Sequence, residues 1–334
     1  MEPFIEISST QGVTARFLPL GATLSSLFVK DREGNLNDVV LGFDGLEDYE
    51  KDTAYMGRTV GRVCNRIRCG KFTFDGISYQ MPINCSPHHL HGGPRGIALK
   101  EWEVVRQTPT SVTFRIWANE QNDGFPGDAK IDVTYTVNDR NQLLIEHGAI
   151  CSSPGVLNLT NHSYWNLDRS KSVRDHVLQV NAEAYLPTDK DDFPTGETLS
   201  VQGSRFDFSE EKSLSTLVDS DGHIDIDNDL VLRSNTSRAV RALSFYSPRS
   251  GIRMDVTTSY PVIHLYGGRH LMCTGKGGET YASGKGLAIE AQFHTGSLNY
   301  TDFPSIRFSP ERSYYHEIVH SFTVQDSEEQ IQRN

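Results

Sequence analysis

The sequence predicts an all-β protein, built as a single large antiparallel β-sandwich with few short helices. Apolar and polar residues alternate with period two through much of the chain, for example over residues 112–118 and 131–137, which is the pattern of half-buried strands. An Asp-Gly pair between two alternating runs is a strong hairpin signal. Segments with helical periodicity are too short to form a helical layer, so a sandwich or barrel class follows.

The predicted elements follow in chain order. A hairpin is expected over residues 71–80, because the type I′ turn that Asp75-Gly76 favours needs positive φ at both central residues. Short helices are predicted at 46–51 and 214–218. Residues 186–226 alternate poorly and are rich in Asp, Pro, Gly and Ser, which indicates long loops over one face. Further strands are predicted at 22–29, 143–150, 176–181, 252–258 and 321–325, and longer turns at 138–142 and 247–251.

The chain of 334 residues shows no sign of a second domain. Its length would allow two, but all-β domains often run to about 200–250 residues or more as one unit. No internal repeat, linker or charge block divides the sequence. We therefore expect one continuous domain over residues 1–334.

Composition and charge exclude several classes of partner. The net charge is −11 and no run of Lys and Arg is present, so a nucleic acid partner is not expected. No window approaches 18 uninterrupted apolar residues, and the N-terminus lacks the pattern of a signal peptide, so we expect neither membrane insertion nor secretion. Five scattered cysteines are interpreted as buried thiols of a reducing compartment, and a cytoplasmic protein is predicted.

Histidine is the first residue type that suggests chemistry. Of twelve histidines, His88, His89 and His91 cluster in one segment and could bind a metal. The chain has neither an HExxH motif nor a Cys/His pattern with zinc spacing, so no metal is predicted. Most lone histidines in a protein are structural, and the surroundings must single out the exceptions.

His162 and Glu290 have such surroundings. His162 lies in Asn-Leu-Thr-Asn-His-Ser-Tyr-Trp-Asn-Leu (158–167), which mixes amides with aromatic rings, the groups that meet sugar hydroxyls and the apolar face of a sugar ring. Glu290 follows Leu287, Ala288 and Ile289, and desolvation among apolar neighbours would raise its pKa toward that of a useful base. A solvent-facing Glu290 on the polar side of a strand remains the alternative.

The segments taken together resemble the aldose 1-epimerase family. The resemblance extends over nearly the whole chain, with the segments in order and at suitable spacing. The segments that carry it are GATLSSLFVKDREGNLNDVVLGF (21–43), GRVCNRIRCGKFTFDGISYQM (61–81), LHGG (90–93), DGFPG (123–127), NLTNHSYWNL (158–167), the stretch 185–197, DNDLVL (227–232), AIEAQ (288–292) and FPSIRFSPERSYYHEIVHSF (303–322).

The resemblance implies a galactose mutarotase-like supersandwich that needs neither metal nor cofactor. It also implies roles for single residues: His162 as general acid and Glu290 as general base. Asn65, Arg66 and His91 correspond to residues that bind and orient the sugar. Asp227 corresponds to a carboxylate that binds sugar hydroxyls, with Asp225 as a rival two residues away. His264 stands where the family usually has a sugar-contacting Gln.

The implied function is interconversion of the α and β anomers of free hexoses, galactose and also glucose, by a monomer or weak homodimer. Two alternatives on the same fold stay open. One is a non-catalytic sugar-binding module. The other is a hexose-6-phosphate 1-epimerase, which needs extra cations for the phosphate; the candidates are Arg95, Arg205 and Arg269. A glycosidase is disfavoured because it needs two catalytic carboxylates, whereas the acid here is a histidine.

Overall fold

The computed structural model describes residues 4–10, 12–233 and 240–326 and confirms the predicted all-β class. Strands in its large sheets pair antiparallel. The N-terminal part contributes a four-stranded sheet in the order β1-β2-β3-β4 and several short pairs. The strands here are β1 (Ile5–Ser8), β2 (Thr14–Leu18), β3 (Thr23–Lys30), β4 (Leu36–Asp38), β5 (Thr59–Val60), β6 (Arg66–Ile67), β7 (Lys71–Phe74), β8 (Ile77–Gln80) and β9 (His89–Leu90).

The predicted hairpin is the pair β7–β8. Its turn residues Asp75 and Gly76 have φ values of 48° and 78°, as a type I′ turn requires. Phe74 pairs with Ile77 directly across the turn, which confirms the register that the sequence predicted.

The middle of the chain begins with a meander of four strands, β10 to β13, and continues with short strands that pair elsewhere. In β11 the residues Val112, Phe114, Ile116 and Ala118 are buried while Trp117 is 61% exposed, so the period-two alternation sorts side chains between core and solvent. The strands are β10 (Glu103–Thr108), β11 (Ser111–Asn119), β12 (Asp128–Asn138), β13 (Gln142–Ile150), β14 (Gly155–Val156), β15 (Thr160–Asn161), β16 (Tyr164–Trp165), β17 (Val177–Val180) and β18 (Ala182–Tyr185).

The C-terminal part completes two large sheets. Its strands are β19 (Leu199–Ser200), β20 (Lys212–Ser213), β21 (Asp227–Leu232), β22 (Val240–Tyr246), β23 (Ile252–Thr258), β24 (Val262–Tyr266), β25 (Met272–Thr274), β26 (Thr280–Ala282), β27 (Leu287–Gln292), β28 (Arg307–Phe308) and β29 (Tyr314–Val324). One sheet has the order β10-β11-β12-β13-β29-β23-β22-β17-β20, and the other has the order β16-β27-β24-β21-β18-β19.

The last strand is longer than predicted. The prediction covered residues 321–325, but β29 begins at Tyr314. Its inward residues include His320, which is buried, and a histidine at an inward position hides the apolar alternation. Within the sheet, β29 lies between β13 and β23 and so joins the two halves of the nine-stranded sheet.

Helices are few and short, as predicted. Helix α1 (Leu46–Lys51) has the predicted bounds, and the predicted helix at 214–218 is a 3₁₀ turn, Leu214–Leu217. Helix α2 (Glu120–Asp123) was not predicted; the side chain of Asn119 caps it by accepting from the amide of Asn122. No helix of the described ranges has the length and apolar composition that crossing a membrane requires. The other 3₁₀ turns are Arg68–Gly70, Gly93–Arg95, Ile97–Leu99, Val173–Asp175 and Lys276–Gly278.

One continuous core joins the sheets. Phe17 of the four-stranded sheet, Phe114 of the nine-stranded sheet and Leu265 of the six-stranded sheet belong to the same buried cluster. This is the face-to-face packing of a sandwich. Between Leu186 and Ile226 the short strands β19 and β20 are separated by loops, as the weak alternation predicted.

The cysteines differ from the prediction. None of the five is in a disulfide, but only Cys64 is buried. Cys69 is exposed and lies in a 3₁₀ turn with a left-handed φ of 50°. The expectation of buried thiols is therefore wrong for the other four.

Candidate active site

One pocket of about 380 Å³ collects the residues that the sequence singled out. It opens on the side of the six-stranded sheet away from the core. All seven predicted site residues line it: Asn65, Arg66, His91, His162, Asp227, His264 and Glu290. Asp225, the rival of Asp227, does not line it and is hydrogen-bonded to Arg205 instead.

Strand register explains how distant residues meet. Asp229 of β21 pairs with His264 of β24, which pairs in turn with Glu290 of β27. Tyr164 of β16 pairs with Ala288, so the same register continued by two residues brings His162 opposite Glu290. Residues directly opposite in an antiparallel sheet share a face. One row of side chains on this face therefore runs from Asp229 through His264 and Glu290 to His162, and the last three of these line the pocket.

Glu290 and His162 lie at the end of this row. The distance from His162 Nε2 to Glu290 Oε1 is 3.6 Å, and the two side chains are 6% and 1% exposed. Burial raises the pKa of Glu290, and the positive charges of His162 and His264 oppose that rise. The alternative of a solvent-facing Glu290 is thereby excluded.

The apolar sequence neighbours of Glu290 are not what surrounds it. Leu287 and Ile289 belong to the main core on the opposite face of the sheet. The carboxyl lies instead among His162 and His264, which line the pocket, and near the buried thiol of Cys64. The predicted direction of the pKa shift is right, but its cause is enclosure by the pocket.

His91 and Asn65 hold each other in place. Both have left-handed backbone, with φ 52° for His91 and 59° for Asn65. The backbone N–H of Asn65 donates to Nδ1 of His91 at 3.1 Å, and the backbone N–H of His91 donates to the backbone carbonyl of Asn65 at 3.2 Å. Burial and the charges of His162 and Arg66 hold the pKa of His91 well below its ordinary value, so its ring is neutral. Since Nδ1 accepts, Nε2 carries the hydrogen of the neutral ring.

The tautomer of His91, with its hydrogen on Nε2, makes the pocket a poor metal site. His91, His162 and Glu290 each have a potential ligand atom within 4.8 Å of the other two. A metal ligand needs a free lone pair, but the lone pair on Nδ1 of His91 faces the Asn65 amide and Nε2 carries a hydrogen. The donor set therefore suits a hydroxyl or an ether oxygen better than a cation.

Arg66 and Asp227 also line the pocket and are paired with each other. Arg66 Nη2 lies 3.2 Å from Asp227 Oδ2 and 3.6 Å from Asp192 Oδ2. Burial alone would raise the pKa of Asp227, but the hydrogen bond from His264 and the charge of Arg66 hold it well below its ordinary value. Asp227 is thus a permanent carboxylate that faces the pocket.

Both ring nitrogens of His264 are occupied. Nε2 lies 2.9 Å from Asp227 Oδ1, and Nδ1 lies 2.7 Å from Asp229 Oδ1. Asp229 was not predicted as a site residue. A signal was present, because Asp227 and Asp229 alternate along one strand and so share a face.

Three aromatic side chains that are not among the seven predicted site residues also line the pocket. Tyr55, Tyr164 and Tyr266 supply rings, and the ring of Tyr55 lies 4.9 Å from that of His91. Tyr164 is part of the segment around His162. Tyr55 lies in a turn with φ 56°, and nothing in its sequence context indicates a site.

Comparison with known proteins decides the family. The sequence profile described as aldose 1-epimerase matches residues 3–321. The chain belongs to the aldose 1-epimerase family. The fold and the order of its segments agree with what the resemblance implied.

Relatives of this aldose 1-epimerase family member are similar along most of their length. Galactose mutarotase of Rattus norvegicus is 37% identical over 91% of this chain and 89% of its own. Aldose 1-epimerase of Escherichia coli K12 is 32% identical over 90% of this chain and 88% of its own. The crystal structure of an aldose epimerase homologue from C. elegans superposes with a TM-score of 0.94 at 50% identity, covering 98% of this chain and 100% of that one.

Proposed function

We propose that this protein is an aldose 1-epimerase that interconverts the α and β anomers of free hexoses, galactose and also glucose. The observation that carries the proposal is the buried pair of His162 and Glu290, 3.6 Å apart in a pocket that also contains Arg66 and Asp227. A pocket of about 380 Å³ is at the lower end of the range of small-molecule sites, as a monosaccharide needs.

The reaction needs an acid and a base close together, because the two oxygens of a hemiacetal are bonded to one carbon. Glu290 as carboxylate takes the proton of the C1 hydroxyl, and His162 as imidazolium gives a proton to the ring oxygen. The C1–O5 bond breaks and C1 becomes an aldehyde. C1 then turns about its bond to C2, and the two groups run in reverse to close the ring. Each proton transfer contributes roughly 10²–10⁴ to the rate.

In this proposal Asp227, Arg66 and His91 bind the sugar and transfer no proton. Asp227 accepts from sugar hydroxyls, while Arg66 and the Nε2 hydrogen of His91 donate. Arg66 keeps its proton at all working pH values and therefore orients the sugar without transferring a proton. The tyrosine rings suit the apolar face of the sugar.

The charges of the pocket disfavour a hexose 6-phosphate. None of Arg95, Arg205 and Arg269 lines the pocket. Arg205 is hydrogen-bonded to Asp225, and Arg269 to Asp219. Among the described lining residues, Arg66 is the only lysine or arginine, and it is already shared by two carboxylates.

Polarimetry of freshly dissolved α-galactose tests the proposal. The protein should speed the approach to anomeric equilibrium well beyond the rate in buffer, and Glu290→Gln and His162→Gln should each lower kcat by about 10²–10⁴. Glu146→Gln, which removes a strand carboxylate hydrogen-bonded to Tyr315 outside the pocket, is the matched control. No acceleration at any pH contradicts the proposal. Sugar binding with rates unchanged in Glu290→Gln would favour the binding module.

The pH dependence has a definite sign. Glu290 must be ionised to accept a proton, and its pKa lies above the ordinary 4.5. The rate constant kcat/KM should therefore fall as pH decreases, with the acid limb centred above pH 4.5. An acid limb at or below 4.5 would rule out Glu290 as the base.

Location and assembly are part of the proposal. All five cysteines are unpaired, which supports a reducing compartment such as the cytoplasm. We expect a monomer or weak homodimer that acts on a small sugar without nucleic acid or membrane. Sedimentation at several protein concentrations measures the oligomeric state.

A further inference from the structure

A chain of charged groups leads from a buried carboxylate in the middle of the six-stranded sheet to the pocket. It starts at Asp229, which accepts hydrogen bonds from the amide and hydroxyl of Thr295 and from the side-chain amide of Gln292. Asp229 is 2% exposed and lies in the middle of the sheet. With these donors and His264, the carboxylate is held in one orientation.

His264 is the second group of the chain. Its two hydrogen-bond partners, Asp229 and Asp227, are carboxylates, which only accept when they are ionised. With both carboxylates ionised, both ring nitrogens donate and the ring is an imidazolium. No ring nitrogen remains for a sugar hydroxyl unless one of these ion pairs breaks.

Asp227 is the third group and the one that faces the sugar. His264 holds its Oδ1 at 2.9 Å, and Arg66 approaches its Oδ2 at 3.2 Å. A carboxylate fixed through both oxygens keeps its remaining lone pairs in constant directions. Preorganised acceptors of this kind lose little entropy when a ligand binds.

We propose that His264 is a positioning residue of this site: anchored on Asp229 as an imidazolium, it holds the sugar-binding carboxylate Asp227 in place and puts a positive charge opposite Glu290. The inference deepens the proposed function and rests on it for its kinetic tests. It replaces the direct sugar contact that the resemblance implied for position 264 with an action through Asp227.

The same charge acts on the base. His264 and Glu290 are directly opposite in the register of β24 and β27, and the positive charge of His264 favours the ionised form of Glu290. Burial would by itself lower the pKa of His264, but its hydrogen bonds to Asp227 and Asp229 raise it to about 10. The charge therefore persists across the physiological range. Charged and titratable groups that face His264 are Asp227 and Asp229 from β21, Glu290 from β27, Arg66 from β6, and His91 from the loop after β9.

A direct test needs no activity. In the spectrum of protein labelled at histidine nitrogens, the resonances of His264 are identified by their absence from His264→Gln. They should show a doubly protonated ring up to about pH 10. A ring that loses its proton near pH 6.5 overturns the proposal. This result stands even where polarimetry finds no epimerase activity, so failure of the proposed function is distinguishable.

Kinetics supply the second test. In His264→Gln, KM for galactose should rise about tenfold while kcat changes much less, because Asp227 loses a charged partner. The acid limb of kcat/KM should move up by roughly one pH unit, because Glu290 loses a neighbouring positive charge. An unchanged KM together with an unmoved acid limb overturns the proposal.

Two further variants distinguish the proposed role of His264 from a general loss of stability. In Asp229→Asn, His264 stays in place but its pKa falls, because the ring loses one ionised partner. KM for galactose should therefore rise as the pH increases above about 8 in this variant, whereas in the native protein KM should not change with pH. A flat profile in both counts against the proposal. His176→Gln is the matched control, because His176 is also buried and lies 3.9 Å from a carboxylate, Asp168, outside the pocket. It should lower stability without moving KM or the acid limb.

Discussion

Residues in the pocket are partly paired before any sugar binds. Arg66, Asp227, Asp229 and His264 satisfy one another, as buried charges must. By contrast, Glu290 Oε2 is a buried atom without a hydrogen-bond partner among the described residues. Binding groups are thus held by hydrogen bonds and ion pairs, while no group of the described residues holds Oε2 of the base.

Arg66→Ala should mainly weaken binding. The guanidinium orients Asp227 and donates to the sugar but moves no proton, so KM for galactose should rise about tenfold or more with a smaller change in kcat. Initial-rate kinetics measure both constants. Arg205→Ala, which removes an ion pair with Asp225 outside the pocket, is the control and should leave KM unchanged. A fall in kcat alone would contradict this role.

At this scale the sequence predicted the residue types better than their partners. His162 and Glu290 stand out by their neighbours, and the pocket indeed contains both. Tyr55 was missed because its role comes from residues distant in the chain, and Asp229 was missed although it alternates with Asp227 along one strand. Asp229 matters through His264, which lies 35 residues away, and only strand register brings the two together.

Elements position the site through their alternation. Along β27, Leu287 and Ile289 enter the main core, while on the opposite face Glu290 lines the pocket and Ala288 packs in a second buried cluster. Every residue of β27 is buried, because the sheet is covered on both sides. Alternation between polar and apolar residues is weak in a strand covered on both faces, so the sequence pattern alone could not say which face Glu290 occupies.

The LHGG turn offers a test at the scale of elements. A Cβ at Gly92 would lie 2.0 Å from the carbonyl oxygen of Gly61, and φ is +81°. Gly92→Ala must displace the backbone beside His91, so we expect a loss of about 3 kcal/mol or more in stability and a clear fall in kcat/KM. Denaturant unfolding and polarimetry measure the two effects.

Gly76 is the matched control for that substitution. It has nearly the same φ, +78°, but nothing lies within 4 Å of the position of its Cβ. Gly76→Ala should therefore incur only the conformational strain, about 1–2 kcal/mol, with activity unchanged. Equal losses in the two variants would show that crowding at Gly92 is unimportant.

At the scale of the whole molecule, strand β29 connects the two halves of the nine-stranded sheet. It pairs with β13 on one side and β23 on the other, so the C-terminal strand completes a sheet begun by the middle of the chain. We expect residues 1–334 to unfold as one domain, since neither half can form its sheet alone. Fluorescence and circular dichroism should give coincident denaturant transitions. Two separated transitions would indicate two domains.

Buried neutral histidines make stability sensitive to acid. Burial lowers the pKa of His320 to about 3, against 6.5 for an ordinary histidine. Below pH 6.5 the unfolded chain binds a proton that the native state does not, so this contribution to stability is lost as pH falls. When the pH is lowered from 7.5 to 5.5, the free energy of unfolding of the native protein should fall by about 1.4 kcal/mol more than that of His320→Gln. A difference that does not vary with pH would contradict this.

The sequence by itself determined the fold class, the hairpin at residues 71–80, the family resemblance and seven of the residues that line the pocket. These depend on local alternation, turn chemistry and residue identity, which can be read along the chain. Only the tertiary structure decided that Glu290 is enclosed by the pocket, that His91 presents an N–H, and that both nitrogens of His264 are bound by carboxylates. Those properties depend on cross-strand register and burial, and residues distant in the chain create both.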